Sequence, residues 1–468
     1  MYTIDNIIQK TLSYLPGADT DLIRRCYLYA HEAHKDAKRK SGIDYIQHPL
    51  AVADLVTTLK LDVPSICAAI LHDVREDAPD RTLDLEVKFG KEIARIVEGV
   101  TKLKKYTFTS KQAQQAENFK RMIIAMSEDI RVILVKLCDR LNNMRELQFL
   151  RPEKQVEIAS ETLHIYAPLS DRLGISWIRT ELQDLSFKYM MPEDYENLKK
   201  QADARMKERV KYIRNVIDVI TSSLEKANLK GIEVTGRPKN LYGIYRKMKS
   251  QRIDLDQVYD FVAFRVIVQS EPECWNALGI IHGVWTPIMG RFKDWISVPK
   301  SNGYQSLHTS VIGPEHEPME IQIRTWDMHK VAESGIAAHW RYKEGNIVDI
   351  KDEQKFNWLK QLVDWVRELQ NPSDFLDTLK SDLFTDEIYL FTPIGDLRIL
   401  QKGSTPVDFA YDIHTEIGNH CCGAKVNSHI ASLNQPLKSG DIVEILTSKN
   451  QRPNRDWLAF VRTSKARN

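Results

Sequence analysis

The hydrophobic pattern of this 468-residue chain changes character twice, and these changes constrain its fold more than any single motif. Up to about Leu150, apolar residues recur at helical spacing and strand-like runs are few. From about Ala202, a long charged helical stretch leads into runs with strand character. From Asp386 onward, short apolar runs alternate with Gly, Pro and Asn turns. The pattern predicts a helical part, an α+β part and a small β-rich part, in three or four domains.

Charge and composition narrow the class of protein. Lys and Arg number 66 and Asp and Glu 64, so contacts with anions must come from local patches rather than from a global field. No apolar run approaches the length of a transmembrane helix, and the start MYTIDNIIQKTLSYLP lacks a signal peptide's charged and apolar regions. The six cysteines form no CxxC motif. We therefore expect a cytoplasmic protein with reduced thiols and no membrane contact.

Two strand candidates each carry a carboxylate. Met319–Thr325 alternates apolar and polar residues, which predicts one core face and one working face that includes Glu320. Val258–Val268 is apolar on both faces, as in a central strand, yet contains Asp260, which needs a partner. The GPEHEP segment is short enough for a hairpin loop, so a mainly antiparallel sheet is expected. Together the two carboxylates could hold Mg²⁺ against phosphate oxygens.

The segment Gly290–Thr309 combines cations, turn residues and an aromatic ring. Its cations are Arg291, Lys293 and Lys300. Asn302 and Gly303 predict a turn, and Tyr304 offers a flat face for a base. The segment is thus a candidate phosphate and nucleotide site. A solvated charged face with an ordinary hairpin turn is the alternative.

Four side chains in the helical part offer the mixed nitrogen and oxygen ligands of a divalent metal site. They are His48, His72, Asp73 and Asp139. His72 and Asp73 are followed four residues later by Glu76 and Asp77, so a helix would stack them as polar pairs. The helix around Asp139 is apolar nearly all round, so its carboxylate is expected to be buried and to need a cation. The set suits Mn²⁺, Fe²⁺ or Zn²⁺. The alternative is a surface hydrogen bond between His and Asp.

Two further pairs have helical spacing. His31 and His34 are interpreted as a helix face rather than as metal ligands. His329 and Glu333 are interpreted as a hydrogen-bonded pair on an amphipathic helix. No catalytic role is assigned to either pair.

Five motifs follow one another in the strand-rich part: GRPKNLYGIYRKM, YDFVAFRV, RFKD, SNGYQSLHT and EIQIRT. In this order they resemble the synthetase domain of the long Rel/SpoT family of alarmone (p)ppGpp synthetase/hydrolases, and the resemblance covers nearly the whole chain. It implies a helical HD-type hydrolase domain (1–150), a helical bridge (151–201), an α+β nucleotidyltransferase-like synthetase domain (202–345), a helical linker (346–385), a β-rich TGS domain (386–450) and a tail (451–468).

For the hydrolase, the resemblance implies that the four metal-site residues bind Mn²⁺ and that Glu76 and Asp77 handle the attacking water. It also implies three substrate contacts: Arg39, Lys40 and Asn143. Two positions depart from the family pattern. Arg75 replaces a small apolar residue and is expected to point away from the metal. Glu146 replaces Thr on the face of Asp139, where it is expected to repel substrate phosphates. We expect an active hydrolase with weakened substrate binding.

For the synthetase, the resemblance implies transfer of pyrophosphate from ATP to the 3′-OH of GDP or GTP. Asp260 and Glu320 would hold Mg²⁺, and Glu320 would also help to deprotonate the hydroxyl. The ATP contacts would be Arg237, Lys239, Lys247, Arg265 and Lys293. The acceptor contacts would be Lys300, Asn302, His308 and Tyr304, the last stacking on guanine. Arg291 belongs to the basic RFKD loop and is taken as a further phosphate contact.

The C-terminal part resembles a TGS domain through TPIGD, FAYDIHTEIG, GAKVN and LKSGDIVEI. The resemblance implies contact with deacylated tRNA on the ribosome through His414; a buried core histidine is the alternative. Long family members continue into further regulatory domains, so the chain is either a fragment or a short variant. A synthetase-only enzyme with a weakened HD site, or a non-catalytic ribosome- and tRNA-binding regulator, remain alternatives. Oligomeric state and the choice between GDP and GTP stay open.

Overall fold

The structure is a computed structural model that describes residues 1–74, 85–102, 124, 128–258, 260–335, 337 and 387–467. Two compact units divide the chain, Met1–Glu368 and Leu369–Asn468. Within the described residues, no helix is long and apolar enough to cross a lipid bilayer. The predicted helix Phe356–Leu369 and the end of the predicted helix Met328–Lys343 lie outside the described residues.

The first part of unit one is helical, as predicted. Its described helices are α1 (Ile4–Tyr14), α2 (Thr20–Ala33), α3 (Gln47–Thr58), α4 (Val63–Leu71), α5 (Leu85–Phe89), α6 (Lys91–Lys102), α7 (Ile130–Arg145), α8 (Pro152–Glu161) and α9 (Ala167–Arg172). A 3₁₀ turn, Leu147–Phe149, follows α7, and a π-helical turn, Thr162–Tyr166, joins α8 to α9.

Two of these helices, α4 and α7, are buried over most of their length. Asp62 begins α4 by accepting a hydrogen bond from the Ser65 amide, and Asp129 begins α7 by accepting one from the Arg131 amide. Both helices are apolar on nearly every side and contact each other as well as α3. Polar groups on them are therefore drawn into the core, which is where the candidate metal ligands lie.

Two further helices connect this part to the sheet. They are α10 (Ser176–Met190) and α11 (Pro192–Lys226). The long charged helix is predicted to begin at about Ala202. In the structure this helix begins ten residues earlier, because Pro192 opens it and acidic residues fill its first turn. α11 thus runs across the predicted boundary between the bridge and the synthetase domain.

A five-stranded sheet forms the second part of unit one. Its strands are β1 (Glu233–Pro238), β2 (Val262–Val268), β3 (Lys293–Asp294), β4 (Leu307–Ile312) and β5 (Pro318–Thr325), in the order β1-β2-β5-β4-β3. Only the β2–β5 pair is parallel among these pairings. The mainly antiparallel sheet and the β4–β5 hairpin are therefore confirmed. Helices α12 (Leu241–Gln251), α13 (Glu271–Val284) and α14 (Trp326–Ser334) accompany the sheet.

One predicted strand boundary is wrong. The apolar run beginning at Val258 becomes a strand only at Val262, and Asp260 lies in the turn before it. Val258 and Phe261 are nevertheless buried in the core of this part. An apolar turn that packs inward has the composition of a strand, so the sequence run appears longer than the strand itself.

The second unit is small and β-rich, as predicted. Its strands are β6 (Glu387–Phe391), β7 (Leu397–Gln401), β8 (Cys421–Val426), β9 (His429–Ala431) and β10 (Val443–Thr447). Its helices are α15 (Pro406–Ile413), α16 (Thr415–Asn419) and α17 (Ser464–Arg467), with a 3₁₀ turn at Arg455–Ala459. The strands form a hairpin, β6-β7, and a three-stranded sheet in the order β10-β8-β9.

Candidate active sites

Three packed helices bring the predicted hydrolase ligands together. His48 lies in the first turn of α3, His72 directly follows α4, and Asp139 lies within α7. One ligand atom from each of these residues lies within 4.8 Å of the others. The carboxylate oxygens of Asp73 lie 3.4 Å from His48 Nε2 and 3.3 Å from His72 Nε2. All four side chains are buried.

The His72 ring is oriented to bind a cation. Its Nδ1 lies 2.8 Å from the carbonyl oxygen of Ala69 and donates to it, which leaves a lone pair on Nε2. This Nε2 is buried and has no hydrogen-bond partner among the described residues, while an oxygen of Asp139 lies 3.8 Å away. A buried nitrogen lone pair beside two carboxylates fits a divalent metal ion.

The field at this cluster is negative. Burial lowers the pKa of His48, but hydrogen bonds and charge from Asp139 and Asp73 outweigh burial and raise it. The same negative charge that favours a proton on this imidazole would favour a metal ion in its place. The ring is held on its other side by the side-chain amide of Asn142, 2.7 Å from Nδ1.

Neighbouring residues tie the metal ligands to the predicted substrate contacts. Lys136 donates to Asp139 at 2.7 Å, and Asn143 donates to the other oxygen of the same carboxylate at 2.6 Å. Arg39 donates to Asn143 at 3.0 Å and to Glu146 at 2.8 and 3.0 Å. Glu146, which is predicted to repel substrate phosphates, is paired with Arg39 in this structure, a partner that the sequence analysis did not predict.

Other predicted residues of this part behave differently. Lys40 is exposed. Arg75, Glu76 and Asp77 lie outside the described residues. His31 is exposed, whereas His34 is buried and stacks on the Tyr45 ring with centroids 4.7 Å apart. The two histidines are thus three residues apart at the end of α2 but differ in burial.

A pocket between the sheet and α14 collects most of the predicted synthetase residues. Those that line it are Arg237, Lys239, Asp260, Arg265, Lys300, Asn302, Tyr304, His308 and Glu320. The predicted working face of β5 contributes Gln322 and Arg324 as well. The alternation of Met319–Thr325 is confirmed, since Met319, Ile321 and Ile323 are buried in the core.

Two lysines neutralise Asp260. Lys239 follows β1 and Lys247 lies on α12, and both donate to its carboxylate. Burial raises the pKa of Asp260, but the two lysines more than offset burial, so the pKa is lowered. The expected partner of this carboxylate is therefore supplied by the chain itself, from the GRPKNLYGIYRKM motif.

A chain of hydrogen bonds ends at Glu320. Arg324 donates to the Tyr304 hydroxyl at 2.9 Å, and this hydroxyl donates to His308 Nε2 at 2.7 Å. His308 Nδ1 lies 3.2 Å from a carboxylate oxygen of Glu320, to which it donates. Burial lowers the pKa of His308, so the neutral ring with its proton on Nδ1 is favoured. Burial raises the pKa of Glu320, yet hydrogen bonds from His308 and Gln322 and the charge of Lys239 bring it down to about 2.

Two residues that line the pocket, Arg324 and Glu333, were not predicted as site residues. Arg324 is 2 % exposed, and the Nε atoms of Arg324 and Arg265 have no hydrogen-bond partner among the described residues. Burial and the adjacent Arg324 lower the pKa of Arg265. Glu333 lies 3.3 Å from Arg265 and 3.6 Å from Arg237, but 4.0 Å from His329. The predicted His329–Glu333 hydrogen bond is wrong, because the carboxylate faces the arginines.

The helical bridge supplies one wall of this pocket. Its lining residues there are Asp171, Gly174, Ser176, Arg179 and Thr180. The Asn302 side chain donates to the Asp171 carbonyl at 2.9 Å. Gly174 and Gly335 meet directly: both have positive φ, and a Cβ on Gly335 would lie 2.1 Å from the Leu173 carbonyl oxygen. No sequence motif pointed to this wall.

Comparison with known proteins agrees with this division into sites. Three family models match: "HD domain" over residues 26–176, "Region found in RelA / SpoT proteins" over 236–347 and "TGS domain" over 388–447. A relative named GTP pyrophosphokinase from Myxococcus xanthus is 54% identical over 97% of the chain and 60% of its own length. A relative named Bifunctional (p)ppGpp synthase/hydrolase SpoT, from Escherichia coli K12, is 47% identical over 100% of the chain and 66% of its own length. The chain belongs to the Rel/SpoT family.

This Rel/SpoT chain spans only part of its relatives. A third relative, named Probable guanosine-3′,5′-bis(diphosphate) 3′-pyrophosphohydrolase, from Synechocystis, is 50% identical over 95% of the chain and 59% of its own length. The chain thus covers 59 to 66% of the length of the three relatives. The two catalytic domain models and the TGS model all lie within the covered region.

In this Rel/SpoT chain, helix α10 contacts one helix from each site. Glu181 accepts two hydrogen bonds from Arg145, at 2.6 and 2.8 Å, at the end of the helix that carries Asp139. Asp184, one turn later, accepts the Tyr242 amide at 2.9 Å and the Leu241 amide at 3.3 Å, and so caps α12. Helix α10 therefore joins α7, which carries Asp139, to α12, which carries Lys247.

Not every predicted contact of this Rel/SpoT chain reaches its site. Arg291 and Lys293 are exposed and do not line the pocket, although Lys293 pairs with His308 in the β3–β4 ladder. The predicted turn is confirmed, since Gly303 has φ 77° and donates to the Lys300 carbonyl at 2.8 Å. In the TGS domain, His414 is exposed and accepts the Glu416 amide at 3.2 Å. The alternative of a buried core histidine is therefore wrong.

Proposed function

We propose that this chain both makes and hydrolyses (p)ppGpp. It transfers pyrophosphate from ATP to the 3′-OH of GDP or GTP at the sheet pocket, and it releases pyrophosphate from (p)ppGpp at the helical cluster. The observation that carries the proposal is the presence of two chemically distinct sites in one unit. One is a buried His/Asp cluster fit for a metal. The other is a cationic pocket with two ionised carboxylates.

At the helical cluster, the positions of the described residues support the proposed roles. His48, His72, Asp73 and Asp139 would hold Mn²⁺, which would neutralise charge on the 3′-pyrophosphate and lower the pKa of water. Asn143 orients Asp139 through a hydrogen bond of 2.6 Å. Glu76 and Asp77 keep their proposed role of handling the attacking water. Arg39, Lys40 and Asn143 keep theirs as substrate contacts.

At the pocket, the cations divide into two groups. Arg237, Lys239 and Arg265 lie on or beside β1 and β2 and are assigned to ATP, together with Lys247 behind Asp260. Lys300, Asn302, Tyr304 and His308 lie on β4 or in the segment that precedes it and are assigned to the guanine nucleotide. Arg291 and Lys293, on the exposed edge, are assigned to phosphates that extend out of the pocket. Asp260 and Glu320 would hold Mg²⁺, which would supply charge neutralisation for the phosphates of the nucleotide.

The hydrogen-bonded chain keeps Glu320 ionised and in one orientation, which its proposed part in deprotonating the acceptor hydroxyl requires. The acceptor hydroxyl must lose a proton as it attacks the β-phosphorus of ATP, and AMP leaves. His308 fixes the Glu320 carboxylate by a hydrogen bond of 3.2 Å, and Tyr304 in turn fixes the tautomer of His308. In many enzymes a nucleophile is activated by an adjacent base that a third side chain orients, and here His308 would orient Glu320.

The remaining proposals concern partners and surroundings. The TGS domain would contact deacylated tRNA on the ribosome, together with regions present in the longer relatives. His414 supports this assignment because its side chain is exposed. Its Nδ1 caps α16, and Nε2 lies on the other side of the same ring. A cytoplasmic location follows from the nucleotide substrates.

Two incubations test the proposed function. The purified chain is mixed with ATP, GDP and Mg²⁺ in one, and with ppGpp and Mn²⁺ in the other. AMP and ppGpp should form in the first, and GDP and pyrophosphate in the second. Synthesis without hydrolysis would favour the synthetase-only alternative. Absence of both, with tRNA binding retained, would favour the non-catalytic regulator.

A further inference from the structure

A salt bridge between Arg39 and Glu146 lies beside the helical cluster. Nε and Nη2 of Arg39 lie 3.0 and 2.8 Å from the same oxygen, Oε2, of Glu146. The side chains are 18% and 32% exposed, so the pair is partly shielded from water. Burial lowers the pKa of Arg39, but the hydrogen bond and charge of Glu146 raise it overall. The two residues are 107 positions apart in sequence.

Arg39 is linked to the metal ligands on two sides. Its Nη2 donates to Asn143, which itself donates to Asp139 at 2.6 Å. Its guanidinium carbon lies 5.5 Å from the centre of the Tyr45 ring, and the Tyr45 hydroxyl donates to Asp73 at 2.9 Å. The guanidinium is therefore held at the rim of the cluster, with one edge turned toward Glu146.

That edge is the one an anionic substrate would use. Nε and one Nη of an arginine form the fork that recognises phosphate or carboxylate groups. Glu146 already occupies it with a carboxylate oxygen. A phosphate can bind to this edge in one of two ways. It displaces the Glu146 carboxylate, or it binds close to that carboxylate and is repelled by its negative charge.

We propose that Glu146 sets the substrate affinity of the hydrolase by competing with phosphate for Arg39. The inference rests on the proposed hydrolase function and deepens it. It assigns Glu146 as a specificity-determining residue that acts through Arg39 and does not touch the reacting atoms. The chain therefore has a hydrolase that binds polyanionic nucleotides weakly and turns them over normally once they are bound.

The first test is Glu146→Gln, which keeps the shape and removes the charge. The KM for ppGpp, with saturating Mn²⁺, should fall about three- to tenfold while kcat changes by less than about twofold. The KM of the variant should also rise more steeply with added salt, because an uncompensated Arg39 is screened more strongly. Glu225→Gln, an exposed carboxylate on α11, is the charge-matched control and should leave KM unchanged.

A double-mutant comparison separates the proposed route from simple repulsion. Arg39→Ala and the double variant Arg39→Ala with Glu146→Gln should have equal KM values, because Glu146 acts only through Arg39. A fall in KM that persists without Arg39 would overturn the inference in favour of direct repulsion. An unchanged or raised KM in Glu146→Gln would overturn it too. Thermal unfolding verifies that each variant folds, and Glu146→Thr replaces Glu146→Gln if that substitution prevents folding.

The proposed function and the inference can fail separately. Pyrophosphate release by the wild type establishes the proposed hydrolase function, independently of the results for the Glu146 variants. If the wild type shows no turnover, the proposed hydrolase is wrong, and calorimetric titration with ppGpp still decides the role of Glu146. Binding that tightens in Glu146→Gln, but not in the Arg39→Ala background, supports the competition. Equal dissociation constants overturn it.

Discussion

The two candidate sites hold their carboxylates in different ways. In the helical cluster, Asp73 and Asp139 face histidine nitrogens, and the Nε2 of His72 has no hydrogen-bond partner among the described residues, although Lys136 also donates to Asp139. In the pocket, Asp260 is bound by two lysines and Glu320 by a histidine. The first site presents ligands ready for a metal ion. The second is charge-balanced by the chain, so its metal should arrive with the nucleotide.

The largest expected effect is on the helical cluster. Asp73→Asn removes one of two carboxylates that balance a divalent ion, and should reduce ppGpp hydrolysis by about 10³-fold or more. Metal analysis after dialysis should show Mn²⁺ retained by the wild type and lost by the variant. Synthesis by the same preparation is the control and should stay within about twofold. Full retention of Mn²⁺ would contradict the assigned ligand set.

The matching change in the pocket is Glu320→Gln, with Asp260→Asn as its partner. Each should lower AMP release by about 10² to 10³-fold, since each removes charge or a base needed as the hydroxyl attacks. Hydrolysis should remain. Titration with Mg²⁺ should show binding only when ATP is present. Tight Mg²⁺ binding to the nucleotide-free wild type would break the contrast between the two sites.

The pH dependence of synthesis should follow His308. Burial lowers its pKa below the ordinary 6.5, so the ring is neutral at pH 7 and its Nε2 can accept the Tyr304 hydroxyl. Protonation disrupts this arrangement, so synthesis should be level above pH 6.5 and fall about tenfold per unit below the lowered pKa. The check is a profile of kcat at saturating nucleotides. A fall that begins above pH 7 would exclude His308 as its cause.

A smaller effect is expected for Tyr304→Phe. The ring needed for stacking on guanine remains, but the hydroxyl between Arg324 and His308 is lost. The kcat of synthesis should fall about tenfold with little change in KM for GDP, because the relay and not the stacking is removed. Tyr411→Phe, in the second unit, is a matched control. A change confined to KM would instead assign the hydroxyl to nucleotide binding.

The smallest expected effect is on communication between the sites. Glu181→Gln weakens the link from α10 to Arg145 without altering either site directly. In the wild type, GDP with a non-hydrolysable ATP analogue should lower hydrolysis without competing with ppGpp. In the variant this inhibition should weaken by about two- to fivefold. Purely competitive inhibition of the wild type would contradict coupling through α10.

Much of this arrangement could be predicted because it is encoded locally. Helical spacing and strand-like alternation of apolar residues predicted the helical, α+β and β-rich parts of the chain. The alternation in Met319–Thr325 also predicted which face of β5 lines the pocket. The need of Asp139 for a cation followed from its apolar helix, and Lys136 lies one turn away from it on that helix. These inferences depend on residues close in sequence, where helix and strand periodicity fixes direction.

The contacts that were missed join distant segments. Glu146 pairs with Arg39 across 107 positions, and Ser176 reaches the Ala332 carbonyl across 156. Periodicity places Glu146 on the correct helix face but does not reveal which cation approaches it. The start of β2 was misplaced for a related reason, because Val258 and Phe261 are buried by tertiary packing rather than by strand pairing.

The meeting of Gly174 and Gly335 has a consequence for how this protein can diverge. Any side chain on Gly335 would collide with backbone atoms of the Leu173–Ile175 segment, and a Cβ on Gly174 would lie 3.0 Å from Gly335 Cα. Since the obstacle is backbone on both sides, no second substitution elsewhere can make room by shrinking a neighbour. These two codons should therefore stay fixed while the surrounding helices drift. They tie the evolution of the bridge to that of the pocket wall.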